Sequence, residues 1–519
     1  MRIAFLWLMW IWLGALPQLA VAQELPAAID EALSRAGVPA SSVAMMVAPL
    51  APSPGTVARE PAPMIASGER SATPAPQPAH PPRLAWQADV QMNPASVMKL
   101  VTTYAGLDLL GASHFWKTRV FTQGYLRDGV LNGDLIIKGS GDPKLVLERL
   151  QDLILAIQEK GVRTVNGNIL LDNSVFSLPE HDAAAFDDDP LRPYNAGPDG
   201  LLVNFKALAF RFVPEPSRRR VRVESEPPIA GVDIAGHLPA VKGACGDWRT
   251  RLDARFDDPR RISFNGSYPL SCGEKTWAVA YIDPASFAPR VIEAMWRASG
   301  GQLTGQVRMQ RSPGTGQPLI TGFSLPLVDI ISDINKFSNN VMAQQLFLTL
   351  SAAGNGHGSF TESRNVLKQW WRKRFGMRAT PIIENGSGLS RTERITAASL
   401  TALLQEAAAS PQSAAFEQSL SLAGVDGTAR SLATRSPGSE AIGNARLKTG
   451  TLRDVAAVAG YATGRSGQRY SVVGMINHPN ASAARPALDQ LLEWAVRDLD
   501  LEKSAASGAE HAAGQRQGS

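Results

Sequence analysis

Cysteine is scarce: two in 519 residues are too few for a disulfide scaffold or a four-cysteine zinc site. The seven histidines are scattered and none forms an HExxH pair, which argues against a zinc peptidase. Charge of one sign is also in short supply. Fifty-two Lys and Arg stand against 47 Asp and Glu, and the excess of five is spread along the chain. Such a balance tolerates a polyanionic neighbour but lacks the dense basic stripe of a nucleic-acid binder. Beyond the first residues, no stretch is long and apolar enough to cross a bilayer. What is present is a chain 44% hydrophobic and 19% charged, able to bury sizeable cores and too long for one of them, so two or three domains are expected.

Met1 and Arg2 precede an apolar run from Ile3 to Leu16, followed by Pro17 and the small-residue pattern Ala20-Val21-Ala22. A positive start, a short apolar core and an A-x-A site describe a secretory signal peptide, residues 1–22, cleaved after Ala22. A membrane anchor is the alternative, but the run is shorter than the roughly 20 residues a bilayer requires. The mature chain is therefore expected in the periplasm or otherwise secreted, with no stable membrane insertion. Export bears on Cys245 and Cys272: in an oxidising compartment they form one disulfide, the alternative being two buried thiols.

Ser42–Val47 alternates as a strand, and Leu84–Asp89 reads as its partner. Between them, residues 49–82 hold ten prolines, which lack the N–H of a ladder, so the segment is expected as a long surface hairpin loop. Asn93–Ser96 opens a helical pattern running to Leu110, with Val97, Met98, Val101, Ala105 and Leu109 on a broad apolar face. Short strands and turns follow, around 118–121, 135–137, 169–171 and 221–223. Helical texture returns at 327–350, 366–375 and 397–408, and strands at 455–461 and 470–475. A last helix carries Leu488, Leu491, Leu492, Ala495, Val496 and Leu499; its Asp489, Glu493 and Asp498 would be repelled by anionic lipid, so it is expected to pack on the domain. Residues 502–519 are rich in Ala, Gly, Ser and Gln and are expected to be disordered.

Three short motifs carry chemistry. In Ser96-Val97-Met98-Lys99, three residues are nearly one helical turn, so hydroxyl and amine share a face. A neutral lysine can take the proton that makes a serine nucleophilic, and a helix N-terminus suits an oxyanion. The bland alternative is a capping serine beside a solvated lysine. Ser338-Asn339-Asn340 lies within a helical stretch or at a break in it. It is either a helix cap or a proton-relaying hydroxyl with an amide that aligns a substrate carbonyl. Lys448-Thr449-Gly450 enters the first C-terminal strand, where glycine lets a substrate backbone approach the edge and lysine with threonine can hold a carboxylate. A P-loop is excluded, since its glycines would fall at Ile442 and Leu447. Gly139–Pro143 is a tight turn rather than a phosphate cradle, because Pro143 has no N–H to offer.

S-x-x-K, S-x-N and K-T-G in this order form a known constellation of penicillin-binding proteins and serine β-lactamases. With the long gap from Lys99 to Ser338, the chain resembles the class C low-molecular-mass penicillin-binding proteins, the D-alanyl-D-alanine carboxypeptidases/endopeptidases. Further segments carry the resemblance: Gly133-Asp134-Leu135 with Gly139–Pro143, Gly167-Asn168-Ile169, and Cys245-Gly246-Asp247-Trp248 with Cys272-Gly273. Two more are Asn385–Arg391 and Ala423–Thr428. The proline-rich 49–82 insertion and Arg453 depart from the family pattern.

The resemblance implies an α/β (α+β) fold: a transpeptidase/β-lactamase-like domain with a central antiparallel sheet flanked by helices, interrupted by β-rich inserted domains. The catalytic domain would span 23–112 and 315–501, one insertion 113–195 and 277–314, and a second, with the disulfide, 196–276. It further implies that Ser96 attacks a D-alanyl peptide carbonyl while Lys99 takes its proton, with Lys448 and burial disfavouring charge on Lys99. Ser338 would protonate the departing amine, and Asn340 would align the substrate. Lys448 and Thr449 would hold the terminal carboxylate, and Gly450 would admit the substrate backbone. The N–H groups of Ser96 and Thr451 would form the oxyanion hole, and Arg391 and Asp188 would touch the stem-peptide side chain before the scissile bond. Peptidoglycan peptides are the implied substrates and β-lactams covalent inhibitors, with no metal, cofactor or nucleic acid. Two alternatives stay open at this point: a serine hydrolase of β-lactams or of D-amino-acid esters and amides, and a non-catalytic peptidoglycan-binding protein.

Overall fold

The computed structural model describes residues 24–51, 81–312, 314, 316–377 and 380–499. The signal-peptide, proline-loop and C-terminal-tail expectations lie outside them, apart from the few residues at the loop's ends. Six strands, all antiparallel, make the central sheet in the order Ser421–Leu422, Ala445–Leu452, Val455–Thr463, Arg469–Asn477, Val43–Pro49, Leu84–Trp86. Val43–Pro49 and Leu84–Trp86 pair antiparallel, as expected for strands flanking a hairpin insertion.

Strand Val455–Thr463 explains the sheet's thickness. It runs Val-Ala-Ala-Val-Ala-Gly-Tyr-Ala and is buried on both faces, because helices cover each side. On one face Ala456, Val458 and Ala462 meet the helices Ala27–Arg35 and Arg485–Val496. On the other, Ala457, Ala459 and Tyr461 belong to a larger cluster with Tyr104, Phe347, Trp370 and Phe416. Helix Lys99–Leu110 runs through that cluster and packs on helices Leu327–Phe337, Asn340–Asn355 and Phe360–Phe375. The last helix does pack on the domain, but its acidic side is not simply solvated: Asp489 is buried in a two-pronged ion pair with Arg435.

Two β-rich regions stand between Leu110 and Leu327. One is a seven-stranded sheet around the hairpin Lys117–Arg127 and Val130–Lys138, with helix Leu147–Glu159 burying Leu150, Leu153, Ile154 and Ile157 at helical spacing. The other joins a five-stranded and a three-stranded sheet over Phe210, Phe212, Trp248, Phe264 and Tyr268, where Cys245 and Cys272 form a disulfide. Strand pairing moves two expected boundaries. Lys275–Ala280 pairs with Ala207–Glu215, so the second region runs past 276. Ile320–Phe323 pairs with Lys117–Arg127, so the first runs past 314. Among the described residues no helix is long and apolar enough to cross a membrane.

Candidate active site

Ser96 does not sit in the α-helix the periodicity suggested. It lies in a 3-10 turn, Ala95–Met98, that feeds helix Lys99–Leu110, so Lys99 is the first α-helical residue. The consequence for chemistry is small, because residues three apart eclipse one another in a 3-10 turn. The turn is pinned from both sides. Asn93 Oδ1 accepts from the Ala95 N–H (2.9 Å), its Nδ2 donates to the Ser390 carbonyl (3.0 Å), and its backbone N–H and C=O bond the side-chain amide of Asn477 (2.8 and 2.9 Å). Ala95 is held at φ 48°, a conformation a residue with a Cβ adopts only when its surroundings impose it.

Lys99 is wholly buried. Its Nζ donates to Ser96 Oγ (2.9 Å), Asn340 Oδ1 (2.6 Å) and the Ser387 carbonyl. Burial lowers the Lys99 pKa well below that of an ordinary lysine, and the nearby charge of Lys448 lowers it further, while buried Glu393 acts in the opposite sense. The amine next to the hydroxyl is thus held toward its neutral, proton-accepting form.

Ser338-Asn339-Asn340 is the break between two helices. Ser338 ends Leu327–Phe337 in a left-handed conformation (φ 58°), and Asn339 caps Asn340–Asn355 by accepting from the Met342 N–H (3.0 Å). That sharp turn separates the side chains of 338 and 340. Ser338 Oγ accepts from Lys448 Nζ (2.9 Å), while Asn340 bonds Lys99 and donates to the Tyr194 carbonyl (3.2 Å) on the inserted loop.

Lys448-Thr449-Gly450 lies within its own strand, Ala445–Leu452, rather than at the entry of the next one, with which it forms a hairpin. Lys448 is fully buried, its Nζ also reaches the Thr449 carbonyl (2.6 Å), and burial brings its pKa down to about 7. Strand Ser421–Leu422 pairs only with Arg446 and Leu447, and does not extend alongside Lys448–Leu452. A Cβ built on Gly450 would lie 2.6 Å from the Pro94 carbonyl and 3.2 Å from the Ser96 nitrogen, so only glycine lets this strand approach the serine. Thr449 Oγ1 donates to Thr428 Oγ1 (2.8 Å), and Thr451 Oγ1 accepts from Arg485 (2.6 Å).

Three separated segments therefore bring Ser96, Lys99, Ser338, Asn340 and Lys448 into one site, with Lys99 bonded to Ser96 and Asn340 and Lys448 bonded to Ser338. A family model described as the D-Ala-D-Ala carboxypeptidase 3 (S13) family matches residues 82–497. The chain belongs to this family. It is accordingly a serine-type DD-peptidase. It is 30% identical over 400 residues to the D-alanyl-D-alanine carboxypeptidase of Actinomadura sp. (strain R39), covering 74% of this chain and 73% of that protein. With the D-alanyl-D-alanine carboxypeptidase DacB of Haemophilus influenzae it shares 25% identity over 391 residues, 74% of this chain and 80% of that one. The crystal structure of penicillin binding protein 4 (dacB) from Haemophilus influenzae superimposes with a TM-score of 0.68 at 21% identity, covering 89% of this chain and 99% of that chain, which shows the same fold.

In this S13 peptidase, Arg391 and Asp188 have different surroundings. Arg391 reaches the Asp454 carboxylate (3.1 Å) and stacks over the Phe186 ring (4.5 Å to its centroid), which ties the central domain to the inserted loop. Asp188 is exposed at φ 60°, and the hydrogen bonds of its acidic run belong to its neighbours: Asp187 accepts from Tyr194 and Asn195, Asp189 from Arg192. Sequence reasoning assigned no role to Ser387, Thr428, the Tyr194 carbonyl or Glu393. The signal for the first was Gly386-Ser387-Gly388, two glycines at positive φ bracketing a residue whose backbone is used. Among the described residues, no group of three or more His, Cys, Asp or Glu is placed to hold a metal ion.

Proposed function

We propose that this S13 peptidase hydrolyses the D-alanyl-D-alanine bonds of peptidoglycan stem peptides, and the related peptide cross-links, through an acyl-enzyme on Ser96. The observation that carries the reading is the 2.9 Å contact of Ser96 Oγ with a buried Lys99 amine whose neutral form burial and Lys448 favour. As Oγ attacks the carbonyl carbon, its proton passes to Lys99. The oxyanion is received by the N–H groups of Ser96 and Thr451, each such donor supplying about 3–4 kcal/mol of barrier lowering. Collapse breaks the C–N bond; Ser338, bridged to Lys448, gives its proton to the departing amine and is made good by the proton Lys99 took from Ser96, which leaves Lys99 neutral again. Water then attacks the ester carbonyl and gives its proton to Lys99, which returns it to Ser96 Oγ as the ester C–O bond breaks.

Asn340, fixed between Lys99 and the Tyr194 carbonyl, orients the acyl-side amide. Thr449 and Lys448 receive the terminal carboxylate, and the substrate lies along Lys448–Leu452 as an added strand. On the same proposal, Arg391 and Asp188 contact the side chain before the scissile bond. β-Lactams acylate the same serine. The site of action is the periplasm or another exported compartment, consistent with the N-terminal signal pattern.

The test is labelling with a fluorescent penicillin, together with a digest of purified peptidoglycan assayed for free D-alanine and for loss of cross-linked dimers. Wild-type protein should take the label and release D-alanine, and Ser96→Ala should do neither. Label retained by Ser96→Ala, or D-alanine release unaffected by it, would reject the assignment.

A further inference from the structure

Glu393 is wholly buried at the back of the site, two residues after Arg391. One oxygen, Oε1, accepts three successive backbone N–H groups, from Glu384 (2.9 Å), Asn385 (3.1 Å) and Gly386 (3.2 Å). The clamped turn hands its next groups to the nucleophile's helix. The Gly386 carbonyl accepts from Thr102 Oγ1 (2.6 Å), and the Ser387 carbonyl accepts from Lys99 Nζ. The other carboxyl oxygen, Oε2, is buried with no hydrogen-bond partner among the described residues. Holding three N–H groups needs only a carbonyl oxygen, and an ionisable group in such a place is costly unless its charge is answered. The buried cation within its electrostatic reach is Lys99.

We propose that Glu393 is a positioning residue of the catalytic site: through the 384–388 turn it fixes the Ser387 carbonyl against the Lys99 amine, and its carboxyl group is the buried counter-charge of that amine. The inference rests on Lys99 being the base. The groups that bear on the pair are few. Lys448 faces Lys99 from the neighbouring strand, and Glu384 faces Glu393 from the clamped turn. Arg394, next in sequence, spends its guanidinium on the Arg391 and Glu393 backbone carbonyls. Burial pushes the Glu393 carboxyl up, so its charge is not fixed across the working range, and each time it ionises it favours the protonated form of Lys99. Burial and Lys448 set where Lys99 becomes neutral, and an ionised Glu393 shifts that lower pH limit upward.

The experiment measures the second-order rate of acylation by a fluorescent penicillin from about pH 5 to 10 for wild type, Glu393→Gln and Glu393→Ala, with circular dichroism to confirm folding. Gln keeps an oxygen for the three N–H groups but carries no charge, so the acid limb should move down by about half a unit or more while the plateau is kept. Ala removes the clamp, and its rate should fall about tenfold or more at every pH, as misplacement by a fraction of an ångström does. A Glu393→Gln acid limb superimposable on wild type overturns the counter-charge, and a Glu393→Ala rate equal to wild type overturns the clamp. If Glu393→Ala does not fold, Glu393→Gln decides the counter-charge and Glu393→Asp, whose shorter arm falls short of the three N–H groups, decides the clamp by the same fall in rate. Wild type that takes no label would instead bring down the proposed function, and this inference with it.

Discussion

Gly388→Ala tests most directly whether the site is built on backbone contact. Gly388 has φ +78°, where an L side chain costs about 1–2 kcal/mol. A Cβ built there falls 1.9 Å from the Ala95 carbonyl oxygen and 2.8 Å from the Ser96 nitrogen. Both obstacles are backbone atoms, so no rotamer change relieves them. The gap to Ala95 must open by about 1.5 Å before an ordinary contact is reached, and the segment that has to move carries Ser96. On the other side the 384–388 turn is held by Glu393 and cannot retreat freely.

Strain and overpacking together should cost about 2–5 kcal/mol of stability. A shift of about 1 Å at the nucleophile should lower acylation about a hundredfold. The control is Gly376→Ala. Gly376 also has positive φ (+75°), but its Cβ would meet nothing within 4 Å, so it should lose only the conformational share, about 1–2 kcal/mol, and acylate normally. Stability is read from urea unfolding and activity from the penicillin acylation rate of the folded fraction. Gly388→Ala that folds and acylates at the wild-type rate would show that the turn does not set the position of Ser96.

The buried amine of Lys448 gives a signed pH prediction. Its pKa falls from 10.5 to about 7 on folding, so below about 7 both states carry the proton and the cost of burying it is full. Between these values the unfolded chain binds more protons, and stability rises with pH. Wild-type stability measured against Lys448→Met should therefore improve from about pH 7 toward 10, and a difference independent of pH would contradict the burial argument. Asn340→Asp places a carboxylate where an amide oxygen now accepts from Lys99 at 2.6 Å. It should hold the base charged and lower acylation at neutral pH by about ten- to a thousandfold, with recovery in alkali; a loss equal at all pH values would mean that Asn340 acts only on substrate. Replacing Cys245 and Cys272 together by serine opens a loop of sequence separation 27, worth about 3.5 kcal/mol on the loop-entropy model. The pair lies in the inserted region, so unfolding should occur at lower denaturant with acylation unchanged, and an unchanged unfolding midpoint would refute the estimate.

The three motifs were visible in the sequence because each is short and local in the chain, even where, as at Ser338–Asn340, it spans the junction of two helices. Ser96 and Lys99 share a face whether the turn is 3-10 or α, and the misassigned turn type therefore did no harm. The sequence left open whether Ser338 lies within the helical run 327–350 or at a break in it, and the structure shows two helices meeting there. Domain limits were less legible. Lys275–Ala280 and Ile320–Phe323 pair with strands more than fifty positions away, and pairing across such distances leaves no local trace.

Burial of charge was the least legible property. Lys99 and Lys448 stood out only through their motifs, with burial of Lys99 implied by the resemblance, whereas Glu393 looks like any surface residue among 52 cations and 47 anions. Only folding packs Lys99 and Lys448 into one dry site and sets Glu393 behind them. The distinction decides chemistry, because an exposed lysine next to Ser96 would be protonated at neutral pH and useless as a base. The three motifs place the atoms, whereas the apolar residues around them, with Tyr104 and Phe347 in the same cluster as Val97 and Met98, hold the amine toward its neutral form. Opening that cluster to water should therefore cost activity even where every motif residue is kept.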